Sequence, residues 1–220
     1  KLLSYWLHKR DEKGRNIMLL DKKKDVIKSF SFSNTEILNS INTLYLDNKG
    51  FDLDPTFSKG NFYKDFPKPK YCSDIKPQFN FVKKSCSSKL DFTENTLDSI
   101  CFDPPFLIGY GNSKANRNIS AVRFGIFNYY KDLINFYDKS IKEFYRILKP
   151  KGILAFKTQD YSVSSNKAYF LHNDVYNLCI KNNFKTLDLF VLLAKNRIYN
   201  PNLQQRHSRK FHCYWYVFKK

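Results

Sequence analysis

Ser99-Ile100-Cys101-Phe102-Asp103-Pro104-Pro105-Phe106 is the stretch on which the fold turns. Its first four residues read as a short buried strand. Asp103-Pro104-Pro105 must end that strand, because proline has no N–H to give to a ladder and restricts the residue before it. Further along, Leu133, Tyr137, Ile141, Phe144 and Leu148 recur at spacings of three and four, which predicts a helix. Lys149-Pro150-Lys151-Gly152 closes that helix with cations, a breaker and a glycine turn, and Ile153-Leu154-Ala155-Phe156 follows as a buried strand. Strand, crossover helix and strand in this order predict a parallel pair.

The pattern extends in both directions. Upstream, Ser33-Asn34-Thr35-Glu36 is a capping box that opens a helix carrying Ile37, Leu38, Ile41 and Leu44. Phe51-Asp52-Leu53 reads as a strand broken by Asp54-Pro55, Tyr71 to Ile75 as a second one closed by Pro77, and Phe79 to Val82 as a third. Downstream, a helix is expected from Asn173 as N-cap to Asn183, then strands over Leu187–Leu193 and His212–Phe218. The expected architecture is α/β, a mainly parallel sheet with helices on both faces. It occupies residues 33–220, after a lysine-rich extension over residues 1–32.

The 220 residues suffice for one such domain with a sizeable core. Lysine and arginine number 38 against 20 acidic residues, a formal net charge of +18. That excess suits a polyanionic partner, through phosphate contacts and counterion release, although an AT-rich coding sequence would also raise the lysine content. The five cysteines are irregularly spaced and form no C-x-x-C pair, so neither a disulfide framework nor a metal site is expected. With no apolar run of about 18 residues and no leader pattern, a cytoplasmic setting without a membrane is expected.

In open parallel sheets, ligands bind beyond the carboxyl ends of the strands, where the strand order reverses. Three predicted strands end there on Asp54-Pro55-Thr56, Asp74 and Asp103-Pro104-Pro105-Phe106. Two adjacent prolines make the last loop rigid and leave it only acceptors. The Asp103 carboxylate and the Pro104 carbonyl can both accept from one NH₂ group, which raises electron density on a nitrogen otherwise delocalised into a ring. Phe106 would stack on that ring, a contact worth about 1–3 kcal/mol. Taken alone, the tetrapeptide reads as a strand-ending turn with Phe106 in the core; its setting on this rim favours chemistry.

The arrangement resembles the S-adenosylmethionine-dependent amino-methyltransferases of DNA, the adenine-N6 and cytosine-N4 enzymes, and their short phage- and prokaryote-type homologues. The resemblance is carried by the stretch from Phe51 to Gly60, by Asp103 to Phe106, by Lys157-Thr158-Gln159-Asp160 and by Gln205 to Lys210, and spans about residues 44 to 218. It implies a Rossmann-like class I methyltransferase fold with S-adenosylmethionine as cofactor. It also implies that Asp103, Pro104, Pro105 and Phe106 form the catalytic loop, and that the loop of Asp54, Pro55, Thr56, Ser58, Lys59 and Gly60 meets the cofactor's aminocarboxylate. That loop holds one glycine where the family has two or three. Asp74 would bond the ribose hydroxyls.

Nucleic acid is the expected partner, DNA ahead of RNA. Lys157 and Gln159 on the rim, Arg206, His207, Arg209 and Lys210 before the last strand, and Lys114, Arg117 and Arg123 in the long segment from Leu107 to Phe127 are its expected contacts. The aromatics Phe211, Tyr214 and Trp215 read mainly as packing. A cytosine-C5 methyltransferase would need a nucleophilic cysteine after proline, and no cysteine here follows one. The H-x-E and P-C-x-x-C ligand set of a base deaminase is also missing. An RNA amino-methyltransferase and an inactive nucleic-acid-binding subunit of the same fold remain open. The length leaves little room for a target-recognition domain, so recognition would be loop-borne or supplied by a protein partner.

Overall fold

The computed structural model describes residues 8–10, 16–18, 26–106, 108, 127–163, 167–196, 205 and 207–220. In chain order the elements are β1 (His8–Arg10), β2 (Asn16–Met18), β3 (Phe30–Ser31), α1 (Asn34–Tyr45), β4 (Leu53–Asp54), a 3₁₀ turn (Asn61–Tyr63), β5 (Tyr71–Asp74) and β6 (Lys83–Lys84). They continue with β7 (Leu97–Phe102), α2 (Tyr130–Ile147), β8 (Leu148–Thr158), β9 (Tyr161–Val163), β10 (Lys167–Tyr169), α3 (Leu171–Lys181), β11 (Lys185–Leu193) and β12 (His212–Lys219). β1 pairs with β2 and β9 with β10, each antiparallel.

The central sheet has eight strands in the order β3-β11-β12-β8-β7-β4-β5-β6. Every pairing is parallel except the two made by β12, which runs against both β11 and β8. From β6 through β5, β4, β7 and β8 the succession is the doubly wound order of a Rossmann-like fold, reversing between β4 and β7. The α/β, mainly parallel architecture expected from sequence is therefore the one observed. β3 brings residues 30–31 of the N-terminal segment into the sheet, against Val191 and Leu192.

Alternation along the strands divides the core into two layers. Ile100 and Phe102 of β7, Leu154 and Phe156 of β8, and Tyr216 and Phe218 of β12 face α2 and α3. Cys101, Ile153, Ala155, Trp215 and Val217 face α1 through Ile37, Leu38 and Ile41. The stripe Leu133, Tyr137, Ile141, Phe144 is fully buried, as its spacing predicts.

Local details depart from the sequence reading where distant residues intervene. Phe79 to Val82 forms a turn, and the strand beside β5 is Lys83–Lys84. The Phe79 and Phe81 rings stack on one another and meet Phe57 edge-on instead of entering a ladder. α3 starts at Leu171, two residues before the expected cap, because the buried Asp160 carboxylate takes the backbone N–H of His172. In the capping box Ser33 accepts from the Glu36 N–H, but the Glu36 carboxylate accepts from Ser31. Lys149-Pro150-Lys151-Gly152, expected as a turn, belongs to the irregular start of β8, where the pairing with β7 jumps from Leu148 to Ile153; there Lys151 adopts the left-handed conformation (φ +71°) and Gly152 is needed for close approach, since a Cβ would lie 2.8 Å from the Lys149 carbonyl oxygen. Among the described residues, no helix is long and apolar enough to cross a membrane.

Candidate active site

The loop after β4 is organised around a carboxylate turned inward. Asp54 is 2% exposed; its Oδ1 accepts from the Thr56 N–H (2.7 Å) and the Thr56 hydroxyl (3.0 Å), and its Oδ2 accepts from the Tyr63 hydroxyl (2.6 Å). The first of these bonds is the Asx turn that an aspartate at a strand end favours. Burial lifts the Asp54 carboxyl from its ordinary 3.8 to about 7, against the lowering effect of these three bonds. Burial also holds the Tyr63 phenol and the Cys101 thiol in their neutral forms, well above their ordinary values. Pro55 is buried, Thr56 and Ser58 are half-buried, and Lys59 is exposed.

Gly60 has φ +64°, and a Cβ there would lie 2.6 Å from the Phe57 ring, which is itself stacked on Tyr63. Both the conformation and the close approach require glycine. The single glycine of this loop thus stands where the chain turns left-handed over an aromatic ring. At the preceding turn Ser58 takes φ +50° without glycine's help.

β5 is laced to this loop. The Asp74 carboxylate accepts from the Ser58 N–H through Oδ2 (2.8 Å) and from the Lys76 N–H through Oδ1 (2.7 Å), and the Ser73 carbonyl accepts from the Phe57 N–H (3.1 Å). A carboxylate has about four lone-pair positions, so two backbone bonds leave capacity for ligand hydroxyls. The Ser73 hydroxyl is buried beside Asp74 with no hydrogen-bond partner among the described residues.

Across the switch point, the Asp103 loop is tied to three other elements. The Asp103 N–H donates to the Thr56 hydroxyl (3.0 Å), so Thr56 links the two loops: it donates to Asp54 and accepts from Asp103. The Asp103 Oδ2 accepts from Lys157 Nζ at the end of β8 (3.1 Å). The Tyr137 hydroxyl, on the buried stripe of α2, donates to the Pro105 carbonyl (3.1 Å). Pro104, directly after Asp103 in the chain, is buried. Phe106 is half-buried and packs against the α2 side of the core, the packing role that the isolated tetrapeptide suggested.

The carboxyl end of β8 completes the rim and changes two sequence expectations. Lys157, expected along a nucleic-acid channel, is only 14% exposed and is committed to Asp103. Gln159 is 6% exposed, which withdraws it from a surface contact. The adjacent Thr158 hydroxyl is buried without a hydrogen-bond partner among the described residues, and Asp160 is buried against His172 Nδ1 (2.8 Å), whose ring lies on Tyr214. Arg209 is exposed, while His207 and Lys210 are half-buried on the approach to β12. Trp215 is fully buried, as packing predicts. Lys114, Arg117, Arg123 and Arg206 lie outside the described residues.

Tyr63 and Tyr137 escape the sequence reading although each holds one of the two loops. Tyr137 reads only as part of an apolar stripe, and nothing in the spacing of Tyr63 marks it as the partner of Asp54.

No protein-family model matches the chain, and no curated protein matches it. Among solved structures, the fold is similar to that of a candidate DNA modification methylase from Thermus thermophilus in complex with S-adenosyl-L-methionine, at 20% identity and a TM-score of 0.42, covering 59% of this chain and 49% of that one. It is similar as well to the N-methyltransferase NodS from Bradyrhizobium japonicum in complex with S-adenosyl-L-homocysteine, at 12% identity and a TM-score of 0.46, over 84% of this chain and 85% of that one. A third similar structure is the Burkholderia thailandensis 1,6-didemethyltoxoflavin-N1-methyltransferase, at 11% identity and a TM-score of 0.47, over 85% and 79% of the two chains. The chain spans about half the length of the Thermus protein, between 47% and 52% across its three structures.

Proposed function

We propose that this chain transfers a methyl group from S-adenosylmethionine to the exocyclic amino nitrogen of a base in DNA, adenine N6 in the first instance. The observation that carries the reading is the Asp103-Pro104-Pro105 loop at the switch point, joined by its backbone through Thr56 to the loop after β4. The net charge of +18 is compatible with a nucleic-acid partner.

The residues around β4 and β5 fit the cofactor. Asp74 retains lone pairs for ribose hydroxyls, the Ser73 hydroxyl beside it is buried without a partner among the described residues, and Ser58 and Gly60 turn the backbone in the left-handed region. When bound there, S-adenosylmethionine supplies a methyl group on a positively charged sulfur.

Asp103 and Pro104 act on the other reactant. Asp103 Oδ1 and the Pro104 carbonyl would accept hydrogen bonds from the two N–H groups of the base amine, so that the nitrogen lone pair is less withdrawn into the ring and more available to a methyl donor. The nitrogen gains one bond and must lose one proton, and Asp103 Oδ1 is the acceptor already bonded to it. The prolines and the Tyr137 bond to the Pro105 carbonyl keep the acceptors in place during the transfer. A target within a duplex must first be flipped from the stack.

Incubation with methyl-labelled cofactor and separate DNA and RNA pools, followed by nucleoside analysis, tests the reading. Label in N6-methyladenine from the DNA pool is expected, and Asp103→Ala should abolish it while cofactor binding by calorimetry stays within about threefold of the wild type. Label only in RNA would move the target to the other polymer. No label in either pool would overturn the reading.

A further inference from the structure

We infer that Lys157 is a positioning residue for Asp103, anchoring one carboxylate oxygen so that the other is presented to the substrate amine. The inference rests on the proposed methyl transfer and assigns Lys157 a task other than contact with the polymer.

Most of Asp103 is already fixed. Its N–H is held by Thr56 and two prolines follow it, so the remaining freedom is rotation of its own side chain. Lys157 Nζ restrains that rotation through a charge-assisted bond to Oδ2 at 3.1 Å, with the two side chains 14% and 27% exposed. Oδ1 is left to accept from the amine.

Lys157 is held in turn from below. On β8 it stands in register with Trp215 of β12, and its ammonium lies over the Trp215 ring at 5.7 Å and over the Phe62 ring at 4.9 Å. Trp215 is fully buried and its indole N–H donates to Asn34 Oδ1 (3.1 Å) at the start of α1. Phe62 belongs to the 3₁₀ turn that follows the β4 loop and meets Trp215 edge-on at 5.6 Å. The ammonium therefore occupies a seat with two aromatic walls and one carboxylate, built by α1, β8, β12 and the loops on both sides of the switch point. A lysine serving phosphates needs an exposed ammonium and gains nothing from such a seat.

Wild type, Lys157→Met and Lys157→Arg are compared with labelled cofactor and DNA. The Met variant should lose between about 10-fold and 100-fold in kcat, the scale of a small misplacement of a reacting group. Its KM for cofactor, its DNA affinity and the salt dependence of that affinity should stay unchanged. The Arg variant, which keeps the charge but changes the reach, should fall between Met and wild type in kcat. A Met variant with wild-type kcat overturns the inference. So does a loss confined to DNA affinity with the log–log salt slope reduced by about one, which is the signature of a phosphate contact.

If Lys157→Met does not fold, the Arg variant carries the same kcat-against-affinity comparison. If the wild type labels neither pool, the methyl-transfer reading has failed on its own terms, and the Lys157–Asp103 anchor is tested without substrate. Melting of Lys157→Met, Asp103→Asn and the double variant should then show non-additive shifts, and strictly additive ones overturn the anchor.

Discussion

Replacing Asp54 with asparagine should make the stability of the protein less dependent on pH, by an amount that follows from the burial of this one carboxyl. In the folded chain Asp54 is 2% exposed and its carboxyl is lifted from 3.8 to about 7. The unfolded chain releases the proton near the lower value and the folded chain only near the higher one. Between them unfolding releases a proton, so raising the pH favours the unfolded chain. The stability associated with the protonated form is complete below the unfolded value and is lost as pH rises through the folded value. A separation of about 3 pH units corresponds to about 4 kcal/mol in all, of which about 2.5 kcal/mol falls between pH 5 and pH 8. The Asp54→Asn side chain has no proton to release, and its amide can still accept from Thr56 and donate to the Tyr63 oxygen. Urea unfolding of both proteins from pH 5 to pH 8, compared as a difference, cancels the titration of every other group. The variant should gain about 2.5 kcal/mol on the wild type across that range. A difference constant to within about 0.5 kcal/mol would show that Asp54 ionises like an exposed carboxylate, and the inward-turned loop would have to be abandoned.

Two further substitutions probe the same floor of the site. Thr56→Val keeps the shape but deletes the hydroxyl between the loops, leaving the Asp103 N–H without its acceptor and Asp54 Oδ1 with one bond fewer. A loss of about 2–3 kcal/mol in urea unfolding is expected, with methyl transfer reduced, and a loss below about 0.5 kcal/mol would mean that Thr56 does not link the loops. Gly60→Ala adds a Cβ at φ +64° and 2.6 Å from the Phe57 ring, which Tyr63, Phe79 and Phe81 pack on from other sides. The cost should be about 2–4 kcal/mol together with weaker cofactor binding by calorimetry, and a neutral change would refute the left-handed turn over Phe57.

How far the sequence reaches is best seen along β7 and α2. Phe102 is the last residue of β7, and the chain leaves the sheet at Asp103 because prolines cannot continue a ladder. The α2 stripe and the strand after it are equally legible, since apolar spacing reports which face is buried wherever an element is long enough to show a period. Short elements escape this test. Two residues of β6 carry no period, and its ladder exists only because Ser73 and Asp74 lie alongside. The start of α3 is likewise set by Asp160, twelve residues upstream of His172.

The site divides along the same line. The sequence by itself determined that an acceptor-only loop ends a parallel strand, that acidic residues end two neighbouring strands, and hence on which rim the candidate site is sought. These are properties of neighbours in the chain, governed by proline's missing donor and by side-chain alternation. Only the tertiary structure decided that Thr56 and Lys157 hold Asp103 across 47 and 54 residues, that Tyr63 closes the Asp54 turn, and that Gln159 is buried. Hydrogen bonds and ion pairs at such separations depend on where the sheet brings two strand ends together, and no local pattern of residue types encodes that distance.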